Sequence, residues 1–107
     1  MTIILFGGHG WIGSQLFELL KPNCIIPPKD IRVDNIETVS HYLDSFEKID
    51  HVICCIGRTH GEGINNIDYL EQNGKLRENI RDNLFGPIAL AFECYKRNIH
   101  YIFGSLI

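Results

Sequence analysis

TIILFGGHGWIG, residues 2–13, reads as a buried strand, a glycine-rich turn and the start of a helix. Ile3 to Phe6 is a continuous apolar, β-prone run, the pattern of a parallel strand covered on both faces. Gly7-x-x-Gly10-x-x-Gly13 follows it directly. In a turn of this kind the first glycine permits the bend and the second lets backbone amides approach a pyrophosphate. The third lets the helix pack on the strand. The diphosphate then sits on free amides at the positive end of the helix dipole. Glycines at this spacing also occur in purely structural turns; the strand before them and the helix after them favour the dinucleotide-binding reading.

Working outward, Ile12, Leu16, Leu19 and Leu20 fall at helical spacing between Trp11 and Lys21, and Lys21-Pro22-Asn23 ends that helix. Cys24 to Ile26 predicts a short second strand, stopped by Pro27-Pro28, and Ile31 to Val33 a brief extended piece. Asp34 or Asn35 caps the next helix, whose Ile36, Val39, Leu43 and Phe46 form one apolar stripe. Val52 to Ile56 is the next buried strand. Gly57 to about Asn73 is a polar loop with three glycines, long by the usual statistics and so a candidate functional segment. A helix is predicted from near Lys75 to Asn98, bent at Pro87, and a last strand over His100 to Phe103.

This alternation predicts an α/β fold, a doubly wound parallel sheet of the Rossmann type, truncated after about four strands. Residues 1–107 read as one partial dinucleotide-binding domain with no substrate domain. An open parallel sheet ending just past an apolar strand leaves an uncovered edge, through which self-association is expected.

A composition of 45% hydrophobic and 21% charged residues supports a real core. The formal net charge of -3 offers no footprint for nucleic acid or an anionic membrane. No apolar run is long enough to span a bilayer, and no secretory leader pattern opens the chain. Cys24, Cys54, Cys55 and Cys94 form no CxxC pair and read as buried thiols in a reducing, cytoplasmic compartment. His9, His41, His51, His60 and His100 show no metal spacing with them, so no metal is expected.

In NAD-selective folds an acidic residue ends the second strand and binds the ribose 2′-hydroxyl. Here that place reads Pro27-Pro28-Lys29, with Arg32 close by. Cations suit a 2′-phosphate, which favours NADPH over NADH. The alternatives are solvated loop charges at Lys29 and Arg32, or an NADH reading through Asp30.

LFGGHGWIGSQL, CCIGRTHGEGINNIDYLEQNGKLRENIRDNLFGPIALA and the closing HYIFGS together resemble an extended short-chain dehydrogenase/reductase. Within that superfamily the resemblance is to the dTDP-4-dehydrorhamnose reductase branch. It is strongest to the bifunctional UDP-4-keto-6-deoxyglucose 3,5-epimerase/4-reductases of UDP-rhamnose synthesis, and it covers the amino-terminal part of such enzymes only.

The resemblance implies residue roles. Gly7, Gly10, Trp11, Ile12 and Gly13 would hold the pyrophosphate, with Asp34 near the adenine. Cys55, Ile56 and Gly57 match the stretch beside the cofactor ribose, where CCIG replaces the commoner small residues. Thr59 and His60 lie where the family's loop reaches the nicotinamide and the sugar, and Asn83 matches a helix asparagine that supports the active site. Ser105 falls on the hydroxyl residue that binds the substrate's C4 oxygen, although Leu106-Ile107 replace the usual Gly-Cys. For these loop and strand-end positions, plain surface polarity is the competing reading.

In this family a Tyr four residues before a Lys donates the proton to C4. Here Tyr42, Tyr69, Tyr95 and Tyr101 are followed at that spacing by Phe46, Asn73, Ile99 and Ser105. The cofactor half is expected without the proton-transfer half, and no sugar turnover is expected from this polypeptide alone. Three readings follow: part of a nucleotide-sugar reductase completed by a missing carboxy-terminal part, a stand-alone NAD(P)-binding sensor or regulatory module, or a remnant without function.

Overall fold

The computed structural model describes residues 1–56 and 85–104. Its strands are β1 (Ile3–Phe6), β2 (Cys24–Ile25), β3 (His51–Cys54) and β4 (His100–Phe103), all parallel, in the order β2-β1-β3-β4. Three helices pack on them: α1 (Trp11–Leu20), α2 (Ile36–Asp44) and α3 (Gly86–Lys96).

β1 is buried along its whole length because alternate residues serve two cores. Ile3 and Leu5, with Cys24, meet Leu16, Phe17 and Leu20 of α1 on one face. Ile4 and Phe6, with Val52 and Cys54, meet Val39 and Leu43 of α2 and Leu90 and Cys94 of α3 on the other. Helices on both faces of a parallel sheet make the doubly wound architecture expected from the sequence. Each fully buried aliphatic side chain contributes about 1.5–3 kcal/mol relative to exposure.

Local chemistry explains the departures from the sequence reading. Phe17 packs into the α1 core, whereas Leu19 is 80% exposed and faces water. β2 stops at Ile25 because Pro27 and Pro28 have no amide to extend the ladder. Ile31 to Val33 is not extended: Ile31 N–H donates to Pro28 O at 3.0 Å and Asn35 N–H to Arg32 O at 3.0 Å, making successive turns. Asn35, not Asp34, caps α2, its Oδ1 accepting from Thr38 N–H at 3.3 Å. Strand β3 runs from His51 to Cys54 and so leaves Cys55 and Ile56 beyond its end. Pro87 stands in the first turn of α3 as its bounds are described, and the part of the predicted helix before it lies outside the described residues. The predicted stretch from Lys75 to Leu84 and the Gly57–Asn73 loop lie outside the described residues.

α3 ends where Asn98 adopts a left-handed φ of 55°, letting Ile99 N–H return to Cys94 O at 2.9 Å and aiming the chain into β4. Beside that turn, Arg97 fastens α3 to α2. Its Nε donates to Asp44 Oδ1 at 2.8 Å, one terminal nitrogen to Glu93 Oε1 at 2.9 Å, and the other to Ser40 Oγ at 2.8 Å. Glu93 is buried and also pairs with Lys96 at 2.7 Å.

Lys96 and Arg97 hold the Glu93 carboxyl below its usual range, as Arg97 does for Asp44 and the Thr2 amide for Asp50. A carboxylate depressed in the native state stabilises fully above the ordinary carboxylate range, and that stabilisation is lost as pH falls through the depressed values. Urea unfolding at neutral pH is expected to find Arg97→Ala less stable by about 2–3 kcal/mol, because charged hydrogen bonds are removed and Glu93 keeps only Lys96. The parent is expected to lose stability on acidification below about pH 4, with a shallower acid limb in Arg97→Ala. Equal midpoints and equal acid limbs would show that the Arg97 network is energetically idle.

Candidate functional site

The strand order β2-β1-β3 puts the topological switch between β1 and β3. From β1 the chain winds to β2 through α1 on one face, then recrosses through α2 on the other face to reach β3. Ligands of open parallel sheets bind outside the carboxyl ends of the strands at such a point. Phe6 is the carboxyl end of β1, and the glycine turn starts at the next residue.

Gly7 has a φ of 84°, and Gly10 N–H donates to its carbonyl at 3.1 Å. A Cβ on Gly7 would lie 2.8 Å from the Cys55 carbonyl carbon and 3.0 Å from Ile56 N, so the chain leaving β3 presses directly on the turn. At Gly8 a Cβ would meet the Ile26 side chain at 2.6 Å, and at Gly13 it would overlap the Gly7 carbonyl oxygen. Gly10 differs. It is exposed, its φ is -78°, and a Cβ there would make only an ordinary 3.5 Å contact with Gly7 O. Packing accounts for Gly7, Gly8 and Gly13 but not for Gly10.

Gly10 is the N-cap of α1 and offers no side chain to its first turn. Ser14 N–H closes the first helical bond on Gly10 O at 2.9 Å, so the amides of Trp11, Ile12 and Gly13 precede the ladder. α2, by contrast, is capped by Asn35 and carries Glu37 in its first turn, whereas α1 has no acidic residue there. Uncapped amides, a positive dipole end and a glycine that leaves the approach open fit a diphosphate. Trp11 flanks this end at 73% exposure and Ile12 is half-buried.

Cys55 and Ile56 are half-buried behind Gly7, with Cys55 N–H donating to Phe6 O at 2.9 Å. Burial pushes the Cys24, Cys54 and Cys55 thiols up, and that of Cys94 up to about 12. These are packing groups rather than nucleophiles. Arg32 and Asp34 stand together in the turn before α2, Arg32 Nε donating to Asp34 Oδ1 at 3.2 Å, with the Arg32 side chain 56% exposed. Lys29 and Asp30 are exposed in the preceding turn.

The structure thus gathers Gly7, Gly10, Trp11, Ile12, Gly13, Cys55 and Ile56 at the switch point. Gly57, Thr59, His60, Asn83 and Ser105 lie outside the described residues. Sequence reasoning passed over Gly8 and Ile26, whose close approach ties the end of β2 to the turn; the doubled Gly7-Gly8 was the available signal. Among the described residues, no group of three or more His, Cys, Asp or Glu is placed to hold a metal. No helix among them is long and apolar enough to cross a membrane.

No family model matches the chain. Over 101 residues, 94% of its length, it is 46% identical to the uncharacterized protein L780 of Acanthamoeba polyphaga mimivirus, spanning 35% of that protein. The crystal structure of the L780 UDP-rhamnose synthase from that virus superposes with a TM-score of 0.89 at 43% identity, covering 96% of this chain and 36% of that one. A dTDP-4-dehydrorhamnose reductase from Bacillus anthracis, solved in complex with NADP, superposes with a TM-score of 0.76 at 21% identity, over 94% of this chain and 35% of that chain. At that identity the likeness concerns the fold alone. The chain therefore spans about a third of the length of these relatives. With its glycine turn, its strand order and its near-complete overlap, the chain is similar to about a third of the mimivirus UDP-rhamnose synthase, and it shares the fold of the dTDP-4-dehydrorhamnose reductase structures.

Proposed function

We propose that this chain binds NADP(H) at the Gly7–Gly13 turn and is the cofactor-binding part of a nucleotide-sugar 4-keto reductase/epimerase forming UDP- or dTDP-rhamnose. The observation that carries the reading is Gly10, a glycine with no packing reason, at the uncapped end of a helix that starts on the switch point. The likeness to the mimivirus synthase supports the sugar-nucleotide assignment.

In this reading the amides of Trp11, Ile12 and Gly13 hold the diphosphate, and Gly10 keeps its approach clear. The half-exposed guanidinium of Arg32, oriented by Asp34, receives the 2′-phosphate and favours NADPH over NADH. Cys55 and Ile56 back the ribose in this reading; by the family resemblance Gly57 and Asn83 would be assigned to the cofactor, Thr59 and His60 to the sugar and Ser105 to its C4 oxygen, all five lying outside the described residues. The bound cofactor supplies the hydride. No Tyr-x-x-x-Lys pair occurs in these 107 residues, so the polypeptide by itself binds cofactor without reducing the sugar. Its four free thiols suit the reducing cytoplasm.

Trp11 is the sole tryptophan and stands at the turn, so its emission reports occupancy directly. NADPH is expected to quench it and to raise the melting temperature. At a hundredfold excess over Kd, mass action adds about 2.7 kcal/mol, a rise of roughly 10 °C or more for a chain this size. A folded sample that shows neither change at millimolar NADPH would falsify the reading.

Two glycine variants separate binding from folding. Gly10→Val is expected to keep the parent's circular dichroism and lose the NADPH shift, whereas Gly13→Ala is expected to lose the cooperative melt itself. Tight NADPH binding by Gly10→Val would make that glycine incidental. Arg32→Ala is expected to weaken NADPH about tenfold or more, as for the loss of a charged hydrogen bond, and to leave NADH affinity unchanged. Titrating both nucleotides checks this, and equal weakening of the two would remove Arg32 from the 2′-phosphate.

A further inference from the structure

The far end of the sheet from the glycine turn carries a pairing that the cofactor reading does not use. The first residues of β3 and β4 are both histidines, His51 and His100, and they stand opposite each other in the parallel register. Their Nδ1 atoms lie 2.9 Å apart, and the rings meet edge-on with centroids 5.0 Å apart at an interplanar angle of 73°. Nitrogens this close share one proton: one donates, the other accepts, and both point into the same gap. Two cis imidazoles bound to one ion at 2.0–2.1 Å have their nitrogens about 2.9–3.3 Å apart. The separation already suits an ion bound to both nitrogens; such an ion lies off the N···N line, so each ring turns by roughly 35–45° to aim its lone pair at it.

We propose that His51 and His100 form a bidentate site for a divalent cation that favours imidazole nitrogen, of the Ni²⁺, Cu²⁺ or Zn²⁺ class. Both ligands stand on paired strands rather than on loops, which fixes their separation. Asp50 adjoins the site, but its carboxylate accepts from the Thr2 amide at 2.8 Å and pairs with Lys48 at 3.5 Å. Among the described residues no third His, Cys, Asp or Glu completes a ligand group, so the ion keeps its other positions for water. Among the described residues β4 is paired only to β3, and Ile102 and Phe103 on it are more than two-fifths exposed. An ion held by both histidines clips that strand to the sheet.

Thermal unfolding of the 107-residue chain with Ni²⁺ tests the site. A tenfold excess over Kd is expected to raise the melting temperature by about 5 °C. His51→Asn and His100→Asn should each abolish the rise, and His41→Asn, at an exposed position on α2, should keep it. The rise should also need more Ni²⁺ as pH is lowered, because protons compete for the imidazole nitrogens. No rise in the parent, or a full rise in His100→Asn, overturns the proposal. A readout on the unaltered chain guards against variants that fold poorly: paramagnetic broadening by Ni²⁺ should strike the His51 and His100 ring resonances together and first. Earlier broadening of His9 or His41 overturns the proposal equally. NADPH titration of His100→Asn should match the parent, which keeps this test separate from the cofactor reading.

Discussion

Helix α1 begins with the backbone of Gly13 laid against the carbonyl of Gly7, a contact that leaves no room for any side chain. That approach fixes where the helix starts relative to β1, and the rest of the architecture follows from it. It sets α1 over Ile3 and Leu5, so that Leu16, Phe17 and Leu20 close the smaller core. It also points the first-turn amides past the end of β1 rather than into the fold. Because Gly7 bears equally on the Cys55–Ile56 backbone, the turn is held from both sides, by the helix and by the chain leaving β3. A site built on such a contact is preorganised, since its donors need not move to meet an anion.

The two faces of the sheet are secured differently. Among the described residues, the α1 face is held by apolar packing that includes the Phe17 ring. The opposite face combines a larger apolar core with the Arg97 network, which joins α2 to α3 through Asp44, Ser40 and Glu93. Glu93 is the only buried charged residue among those described, and it remains ionised because Lys96 and Arg97 both pair with it. β1 and β3, the strands that carry the switch point, are paired along their length and contribute Ile4, Phe6, Val52 and Cys54 to the larger core. β4 is the exposed strand, and the His51–His100 pair lies on its seam with β3. The segment packed behind the glycine turn and the His51 ring thus stand at opposite ends of the same strand, β3.

Periodicity and turn chemistry by themselves determined the α/β class, the four strands, the α1 and α2 segments and the glycine turn. These are local signals: an unbroken apolar run at Ile3–Phe6, a stripe at Ile36, Val39 and Leu43, and prolines that halt β2. Which of Phe17 and Leu19 enters the core was not legible, because both lie near the edge of the α1 stripe and only the position of the sheet chooses between them. The Ile31–Val33 segment misled for a similar reason: its β-branched residues suit a strand, but turns anchored at Pro28 and Arg32 satisfy its backbone instead.

The site shows the same division. The spacing of Gly7, Gly10 and Gly13 was written in the sequence, because a tight turn onto a helix needs glycine wherever backbones touch. Only the tertiary structure distinguished the glycines that packing demands from Gly10, which packing does not, since that depends on where Cys55, Ile56 and Ile26 arrive from distant segments. It alone joined Arg32 to Asp34 in one turn, and brought His51 to His100 across 49 residues of chain. Sequence spacing records neighbours along a strand or helix. Strand order and register decide neighbours across the sheet, and these are set by how the two cores close on β1.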